Sequence, residues 1–173
     1  MLTTQRLVLR RWQDDDREPF AALNADPVVM RYFPGLLTRE QSDLFVDATE
    51  ESFEARGYGL WVVERDGTFL GFTGLKAAQF EAPFTPAVEV AWRFAAHAWG
   101  NGYATEAARA AVADGFDRLG LDEIVSFTAV VNRPSWAVME RLGMQRSGEF
   151  DHPAVPVGHE LRRHVLYRLQ RAS

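Results

Sequence analysis

The chain has 173 residues, of which 47% are hydrophobic and 25% charged, and this predicts a single globular domain over residues 1–173. A formal net charge of −5 argues against broad nucleic-acid binding, which needs a basic surface, and mildly favours cationic substrates such as amines. Because cysteine is absent, disulfides, thiolate metal ligands and a cysteine nucleophile are excluded.

Strand and helix patterns alternate in the N-terminal half. Three aspartates, Asp14–Asp16, suit the first turn of a helix because that end carries a partial positive charge. Asp26 and Pro27 are typical of a helix start, and Asp66-Gly67 is typical of a hairpin turn. The elements predicted here are a strand over 5–12, a helix from Asp14 through Leu23, a short helix over 28–32, a helix between Thr38 and Gly57, and strands over 58–65 and 69–77.

The C-terminal half continues with strands and two further helices. The predicted elements are a loop over 79–86, a strand over 87–94, a glycine turn and helix ending near Leu119, a strand over 123–131, a helix over 134–142, and strands over 144–150 and 161–169. Together they predict an α+β fold. Its sheet is mixed and mostly antiparallel, contains about seven strands, and has helices on both faces.

A glycine turn separates the strand 87–94 from the long helix. Its sequence is Trp99-Gly100-Asn101-Gly102-Tyr103-Ala104. A helix N-terminus carries free N–H donors and about half a positive charge, and glycine lets the backbone approach an anion closely. The turn therefore predicts a site for a pyrophosphate-bearing cofactor, although glycines that merely form a tight turn are the alternative.

Two other phosphate-binding patterns fit this turn poorly. A P-loop requires a lysine, and the turn contains none. A dinucleotide fingerprint requires a third glycine where Thr105 stands, and its ribose-binding acid belongs at the end of the next strand, whereas Asp122 and Glu123 precede that strand.

A second motif, over residues 132–144, gives the glycine turn a family context. Asn132-Arg133-Pro134-Ser135 leads into a helix that closes with Leu142-Gly143-Met144. Together with the turn His97-Ala98-Trp99-Gly100-Asn101-Gly102, this pattern resembles the GNAT superfamily of N-acetyltransferases, in which His97 departs from the usual first residue. The resemblance implies acetyl-CoA as cosubstrate and a V-shaped split between the central strands.

Three further segments resemble one branch of that superfamily. They are Gln5–Arg10, Asp26–Phe33 and Gly71–Leu75. They look like the RimJ/RimL-like branch, which contains the ribosomal-protein N-terminal acetyltransferases and many enzymes that act on small amines. The similarity covers nearly the whole chain in the expected order.

The resemblance implies a set of residues that hold acetyl-CoA. In the family, the strand matching residues 92–94 pairs with the pantetheine arm, the glycine turn binds the pyrophosphate, and the position of Asn132 hydrogen-bonds the arm. The implied cofactor-binding residues are Trp92, Arg93, Phe94, Trp99, Gly100, Asn101, Gly102, Tyr103, Ala104 and Asn132. For the 3′-phosphate, the pairs Arg10-Arg11 and Arg162-Arg163 are candidates between which the sequence does not choose.

The resemblance also implies catalytic roles for Glu89 and Ser135. Glu89 matches a strand position from which the superfamily often uses a glutamate as base through water; solvent exposure or contact with a substrate cation is the alternative. Ser135 matches the position that donates a proton to the departing thiolate, and the alternative is an ordinary serine in a first helical turn.

Acceptor-binding residues are less strongly indicated. Tyr32 and Trp61 are candidates to line an acceptor pocket, with the core as alternative; His152 and His159 lie in a loop that borders the acceptor site in the family, with solvated positions as alternative. His164 is expected to be structural. No histidine has metal-ligand spacing, so no metal is predicted.

The expected activity is direct transfer of acetyl from acetyl-CoA to a primary amine, on either a protein N-terminus or a small molecule. A catalytically silent domain that senses acetyl-CoA is the alternative. No apolar run approaches about 18 residues and a signal-peptide pattern is absent, so we expect a cytoplasmic protein without membrane contact. Many relatives pair, so a homodimer is allowed, although the sequence has no decisive apolar edge.

Overall fold

The computed structural model describes residues 1–172 and contains eight strands and four α-helices within them. The strands are β1 (Leu2–Thr3), β2 (Val8–Arg10), β3 (Leu60–Arg65), β4 (Thr68–Ala77), β5 (Val88–Phe94), β6 (Glu123–Ala129), β7 (Gln145–Asp151) and β8 (Arg163–Gln170). The helices are α1 (Arg17–Ala25), α2 (Arg39–Arg56), α3 (Tyr103–Asp117) and α4 (Arg133–Arg141).

All eight strands form one sheet in the order β1-β2-β3-β4-β5-β6-β8-β7. Every neighbouring pair is antiparallel except β5 and β6, which are parallel. The predicted α+β class and its mostly antiparallel sheet are confirmed. The strand beyond the predicted seven is β1, whose two residues are too few to show an alternating pattern.

The predicted short helix over 28–32 is wrong, because residues 27–35 form turns and bends. Asp26 does act as a local cap: its Oδ1 accepts the N–H of Val28 at 2.8 Å, and its carbonyl accepts the N–H of Met30. These bonds close one turn around Asp26. Val29 and Met30 are buried, so packing fixes the segment without a helix.

The helices cover both faces of the sheet, as predicted. On one face, α1 and α2 pack on β3 and β4 through a cluster that includes Phe20, Val46, Leu60, Val62 and Phe72. On the other face lie α3 and α4, whose cluster includes Leu75, Val90, Val112, Ile124 and Met139. Among residues 1–172, no helix combines the length and apolar character needed to cross a membrane.

The two central strands part almost at once. β5 pairs with β4 over seven residue pairs, and β6 pairs with β8 over seven, but β5 and β6 share one bridge, between Glu89 and Val125. Beyond it, residues 90–94 have no strand partner on the side of β6. The sheet therefore contains a gap at its centre, where the edge of β5 lacks a strand partner and side chains of Ser126 and Trp99 bond only two of its carbonyls, those of Val90 and Phe94.

The position of β5 depends on a close approach between two backbones. At Gly71, which opposes Phe94, the φ angle is +143°, and an added Cβ would lie 2.2 Å from the carbonyl oxygen of Arg93. No real Cβ occupies such a position, so this residue must be glycine if β4 and β5 are to pair as they do.

The variant Gly71→Ala should lower the free energy of unfolding by about 3 kcal/mol or more, since both the clash and the positive φ oppose alanine. Gly35→Ala is the matched control, because nothing lies within 4 Å of its added Cβ, and we expect a change within about 0.5 kcal/mol. Urea unfolding measures both. Equal effects of the two substitutions would contradict the packing argument.

Candidate functional site

A cavity of about 1280 Å³ opens at the gap between β5 and β6. It runs from the N-terminus of α3 and the inner side of α4 to the segments 29–34 and 152–155. Its volume exceeds the roughly 300–1,000 Å³ typical of small-ligand sites, so it has room for a long cofactor and a second molecule.

The N-terminus of α3 forms one wall of the cavity. Gly100 and Gly102 have φ angles of +77° and +78°, and nothing lies within 4 Å of a Cβ added at Gly100. No side chain caps this helix start. Within residues 1–172, the six consecutive N–H groups of residues 100–105 have no hydrogen-bond acceptor. We call this open row of donors the cradle; free N–H groups at a helix N-terminus are suited to an anion.

Side chains around the cradle hold it in place without filling it. The side-chain amide of Asn101 donates to the carbonyls of Ala98 and Trp99, so it braces the turn, and it does not line the cavity. Glu106, in the first turn of α3, forms an ion pair with Arg6 and accepts a 2.6 Å hydrogen bond from Thr4. The negative charge of Glu106, beside the cradle, is thereby balanced by the positive charge of Arg6.

Glu89 lies where β5 and β6 still touch, and its side chain lines the cavity. It is only 5% exposed, and its Oε2 lies 3.3 Å from the Nζ of Lys76 on β4. Burial raises the pKa of the Glu89 carboxyl, and the charge of Lys76 partly opposes that rise. The site thus contains a carboxylate with increased proton affinity.

Asn132 and Ser135 line the cavity opposite β5. The buried amide of Asn132 donates to Thr128 Oγ1 at 2.8 Å and to Ser135 Oγ at 3.1 Å. Because Ser135 Oγ accepts this bond, its own proton is free to donate elsewhere. The Oδ1 of Asn132 has no protein partner in the described chain.

His152 and His164 lie together on the cavity wall, with ring centroids 4.9 Å apart. His152 Nδ1 accepts the N–H of Ala154, which leaves the proton of the neutral ring on Nε2. His164 Nδ1 lies 3.0 Å from the carbonyl of Arg162, so its Nε2 is the free acceptor. Burial and the neighbouring His164 and Lys76 lower the pKa of His152 to about 4.

The other predicted site residues fall into two groups. Strand residues 92–94, Tyr32 and the turn residues other than Asn101 line the cavity, whereas Asn101, Trp61 and His159 do not. In β3, Leu60 and Val62 pack with α1 and the middle of α2, whereas Trp61 points to the other side of the strand and packs in a core that includes Tyr103 of α3. Its ring centroid there lies 4.4 Å from that of Phe53, near the C-terminal end of α2. His159 Nδ1 accepts the N–H of Leu161 within its loop.

The candidate arginine pairs for a phosphate lie outside the cavity. Arg10 pairs with Asp16 and Glu64, and Arg11 with Glu50 and Glu54. Arg162 and Arg163 pair with Asp151, and Arg163 also pairs with Glu149. Their charges are therefore used within the protein.

Several cavity residues carried no signal that sequence reasoning used. They are Arg31, Lys76, Arg109, Phe127 and Arg141. The sequence pattern alone does not show which residue of β4 lies opposite Glu89, because that depends on the register of the two strands. The observed pairing of β4 and β5 places Lys76 opposite Glu89. His164 was expected to be structural, yet it lies on the cavity wall beside His152.

Comparison with known families decides the class of this protein. The family described as the acetyltransferase (GNAT) domain matches residues 6–145. The chain belongs to the GNAT acetyltransferase family. This confirms the predicted superfamily and, at the level of the family, the predicted enzyme class and its use of acetyl-CoA. The cradle and the split sheet are thus found in a protein whose family requires a cofactor site.

Two proteins of known sequence illustrate how similar this acetyltransferase is to others. It is 36% identical over 149 residues to the uncharacterized protein YkkB of Bacillus subtilis, covering 84% of this chain and 86% of YkkB. It is 32% identical over 150 residues to FsC-acetyl coenzyme A-N(2)-transacetylase of Aspergillus fumigatus, covering 83% of this chain and 64% of that protein.

A solved structure from the predicted branch shares the fold of this acetyltransferase. RimL, a ribosomal L7/L12 alpha-N-protein acetyltransferase whose structure contains coenzyme A, superposes with a TM-score of 0.80 at 16% identity. The superposition covers 98% of this chain and 96% of RimL. At that identity the likeness concerns the fold alone.

The lowered pKa of His152 predicts a pH-dependent stability. The folded pKa, about 4, lies below the unfolded value of about 6.5, so the unfolded chain binds more protons between these values. Stability should fall as the pH falls from about 6.5 towards 4. In His152→Gln, the free energy of unfolding should fall less between pH 7 and pH 5 than in the wild type.

His97→Gln is the matched control, because His97 is exposed and lies outside the cavity. It should lose as much stability as the wild type over the same pH interval. A His152→Gln variant with an unchanged loss would show that this ring is not desolvated in the folded protein.

Proposed function

We propose that this protein is an N-acetyltransferase that transfers acetyl from acetyl-CoA directly to a primary amine while both substrates are bound. The observation that carries the proposal is the continuity of one cavity from the six free N–H groups of the α3 cradle to the buried carboxylate of Glu89. An anion site and a buried proton acceptor in one cavity suit a phosphate-bearing acyl donor and an amine acceptor.

The residues present fit acetyl-CoA. The cradle at residues 100–105 presents N–H donors where a pyrophosphate needs them, and Gly100 has open space above its Cα. Along the open edge of β5, the carbonyls of Val90 and Phe94 already accept hydrogen bonds from Ser126 Oγ and Trp99 Nε1, and the main-chain groups between them remain for the amides of the pantetheine arm. Asn132 Oδ1 provides a further acceptor on the facing wall.

For the 3′-phosphate, we propose the arginines that line the cavity near α3 and α4. Arg109 and Arg141 lie there; the guanidinium of Arg109 donates to the carbonyl of Arg141 at 2.7 Å and has no carboxylate partner in the described chain. Arginine forms paired hydrogen bonds with phosphate oxygens.

Glu89 is proposed as the base, acting through water. An amine attacks only when neutral, and for an alkyl amine of pKa about 10.4 the deprotonation at pH 7 costs about 4–5 kcal/mol. A protein α-amino group, with a pKa of about 7.7–8.0, needs far less help. Because burial raises the pKa of Glu89, its carboxylate holds the amine proton more readily than an exposed one does.

Ser135 is proposed as the proton donor to the leaving group. When bound, acetyl-CoA supplies the thioester carbonyl that the amine attacks, and its sulfur leaves as a thiolate that must gain a proton. The hydroxyl of Ser135, oriented by Asn132, has that proton available on the cavity wall. Since cysteine is absent, no thioester with the enzyme forms, which agrees with direct transfer.

Gly100→Ala should weaken acetyl-CoA binding by about tenfold or more, since a methyl group at positive φ distorts the cradle and enters it. Gly120→Ala is the matched control: its φ of +68° gives the same strain, it has equally open space, and it lies outside the cavity. Calorimetric titration with acetyl-CoA should show unchanged affinity for Gly120→Ala. Equal losses in both variants would mean that strain alone acts.

Thiol release from acetyl-CoA with peptides of varied N-terminus, polyamines, aminoglycosides and amino acids tests the activity. We expect release with one acceptor class, and Glu89→Gln should lower kcat by about 10²–10⁴-fold and remove the rise of kcat/KM with pH. Glu51→Gln, an exposed acid on α2, is the control. An unchanged rate and pH profile in Glu89→Gln would exclude this base; binding without any release would favour the sensor.

A further inference from the structure

The guanidinium of Arg93 forms part of the cavity wall without an acidic partner. In the described chain no carboxylate lies within 4.0 Å of it, and its Nε is buried without a hydrogen-bond partner. By contrast, the partly buried Arg10 forms ion pairs with two carboxylates, those of Asp16 and Glu64. Burial lowers the pKa of Arg93 to about 10, so it still carries its charge at pH 7. Because a buried positive charge without a partner is costly, a bound anion would stabilise this guanidinium.

Neighbouring side chains hold this guanidinium in a fixed position. Its Nη1 donates to the Oδ1 of Asn24, a fully buried residue on α1 whose Nδ2 in turn donates to Ser42. The ring of Phe33 lies 4.2 Å from the guanidinium carbon, and that of Phe72 lies 5.4 Å from it. Nη2 forms no bond within the described protein, so the group is oriented in advance and incompletely satisfied.

The face of the sheet separates Arg93 from the phosphate cradle. Arg93 packs with Phe45 and Phe72 on the face covered by α1 and α2, whereas α3 and its free N–H groups cover the opposite face. Glu89 lies on the same face as Arg93, because residues four apart in a strand point the same way. An anion at Arg93 would therefore lie on the face of the sheet that carries Glu89, opposite the cradle.

We propose that the acceptor amine carries a carboxylate and that Arg93 binds it. This inference rests on the proposed function for the position of the amine, near Glu89. The Cα atoms of the two residues are roughly 13 Å apart along the strand, and the water through which Glu89 is proposed to act takes up part of that span. The acceptor is thus a molecule in which a few bonds separate amine and carboxylate, either a free amino acid or a peptide that begins with an acidic residue.

Matched acceptors measure the contribution of the carboxylate. We would compare α-amino acids with their carboxamides, an ω-amino acid series of increasing length with the corresponding alkylamines, and peptides beginning with Asp or Glu with those beginning with Asn or Gln. A carboxamide amine has the lower pKa, because no neighbouring carboxylate stabilises its cation, so chemistry alone favours the carboxamide. The wild type should nevertheless prefer one carboxylate series by roughly 30-fold or more in kcat/KM.

Arg93→Met should abolish that preference through KM while leaving acetyl-CoA affinity unchanged. Arg93→Lys keeps the positive charge but lacks the planar guanidinium, so it should retain part of the carboxylate preference. This result would show that the loss in Arg93→Met does not come from misfolding. Arg31→Met is the control, since Arg31 also lines the cavity but is exposed and lies over Tyr32 and Trp99. It should keep the wild-type preference.

Three results would overturn the inference: no carboxylate preference in the wild type, an equal preference in Arg93→Met, or a loss of acetyl-CoA affinity in Arg93→Met that accounts for its lower activity.

A binding measurement separates this inference from the proposed function. The same amino acids are titrated calorimetrically into protein saturated with coenzyme A. Binding that needs Arg93, without thiol release, would support the carboxylate site and contradict the acetyl transfer; absence of both would overturn each.

Discussion

The parting of β5 from β6 is the constraint on which the rest of the structure depends. Each strand is fully paired with its outer neighbour, β5 with β4 and β6 with β8, so each belongs to a complete antiparallel half-sheet. The halves meet at one bridge, Glu89 with Val125. Main-chain groups that remain unpaired along the opened edge need partners, and the proposed acetyl-CoA has amide groups that suit them. The same opening exposes side chains from both faces to one cavity.

Burial determines the electrostatics of that cavity more than pairing does. The pKa of Glu89 is raised, that of Arg93 is lowered to about 10 and that of His152 is lowered to about 4, and in each case burial is the largest cause. Burial disfavours the charged form of every group, whatever its sign. The cavity therefore combines a carboxylate of increased basicity, a neutral histidine and a guanidinium without an acidic partner in the described chain.

The charge of the cavity lining is opposite in sign to the net charge of the chain. The formal charge of −5 describes the whole chain, whereas basic side chains outnumber acidic ones around the cavity. Five basic residues line it, Arg31, Lys76, Arg93, Arg109 and Arg141, against two acids, Glu89 and Glu106. Because surface charges are screened within about 10 Å, the local set governs which ligand enters. The local charges therefore agree better with the proposed acceptor, an amine that also carries a negative charge, than with a purely cationic one.

The sequence by itself determined what depends on local pattern: strand and helix periods, caps at Thr38 and Gly57, and the glycine turn whose N–H groups remain free. The local pattern predicted a helix over residues 28–32, but the segment forms turns and bends and is held by the burial of Val29 and Met30. Only the tertiary structure decided what depends on register and face: Lys76 opposite Glu89, Trp61 buried in the core, and Arg93 on the same face as Glu89. The physical reason is that strand pairing joins residues far apart in the chain, and a shift of one residue reverses every face.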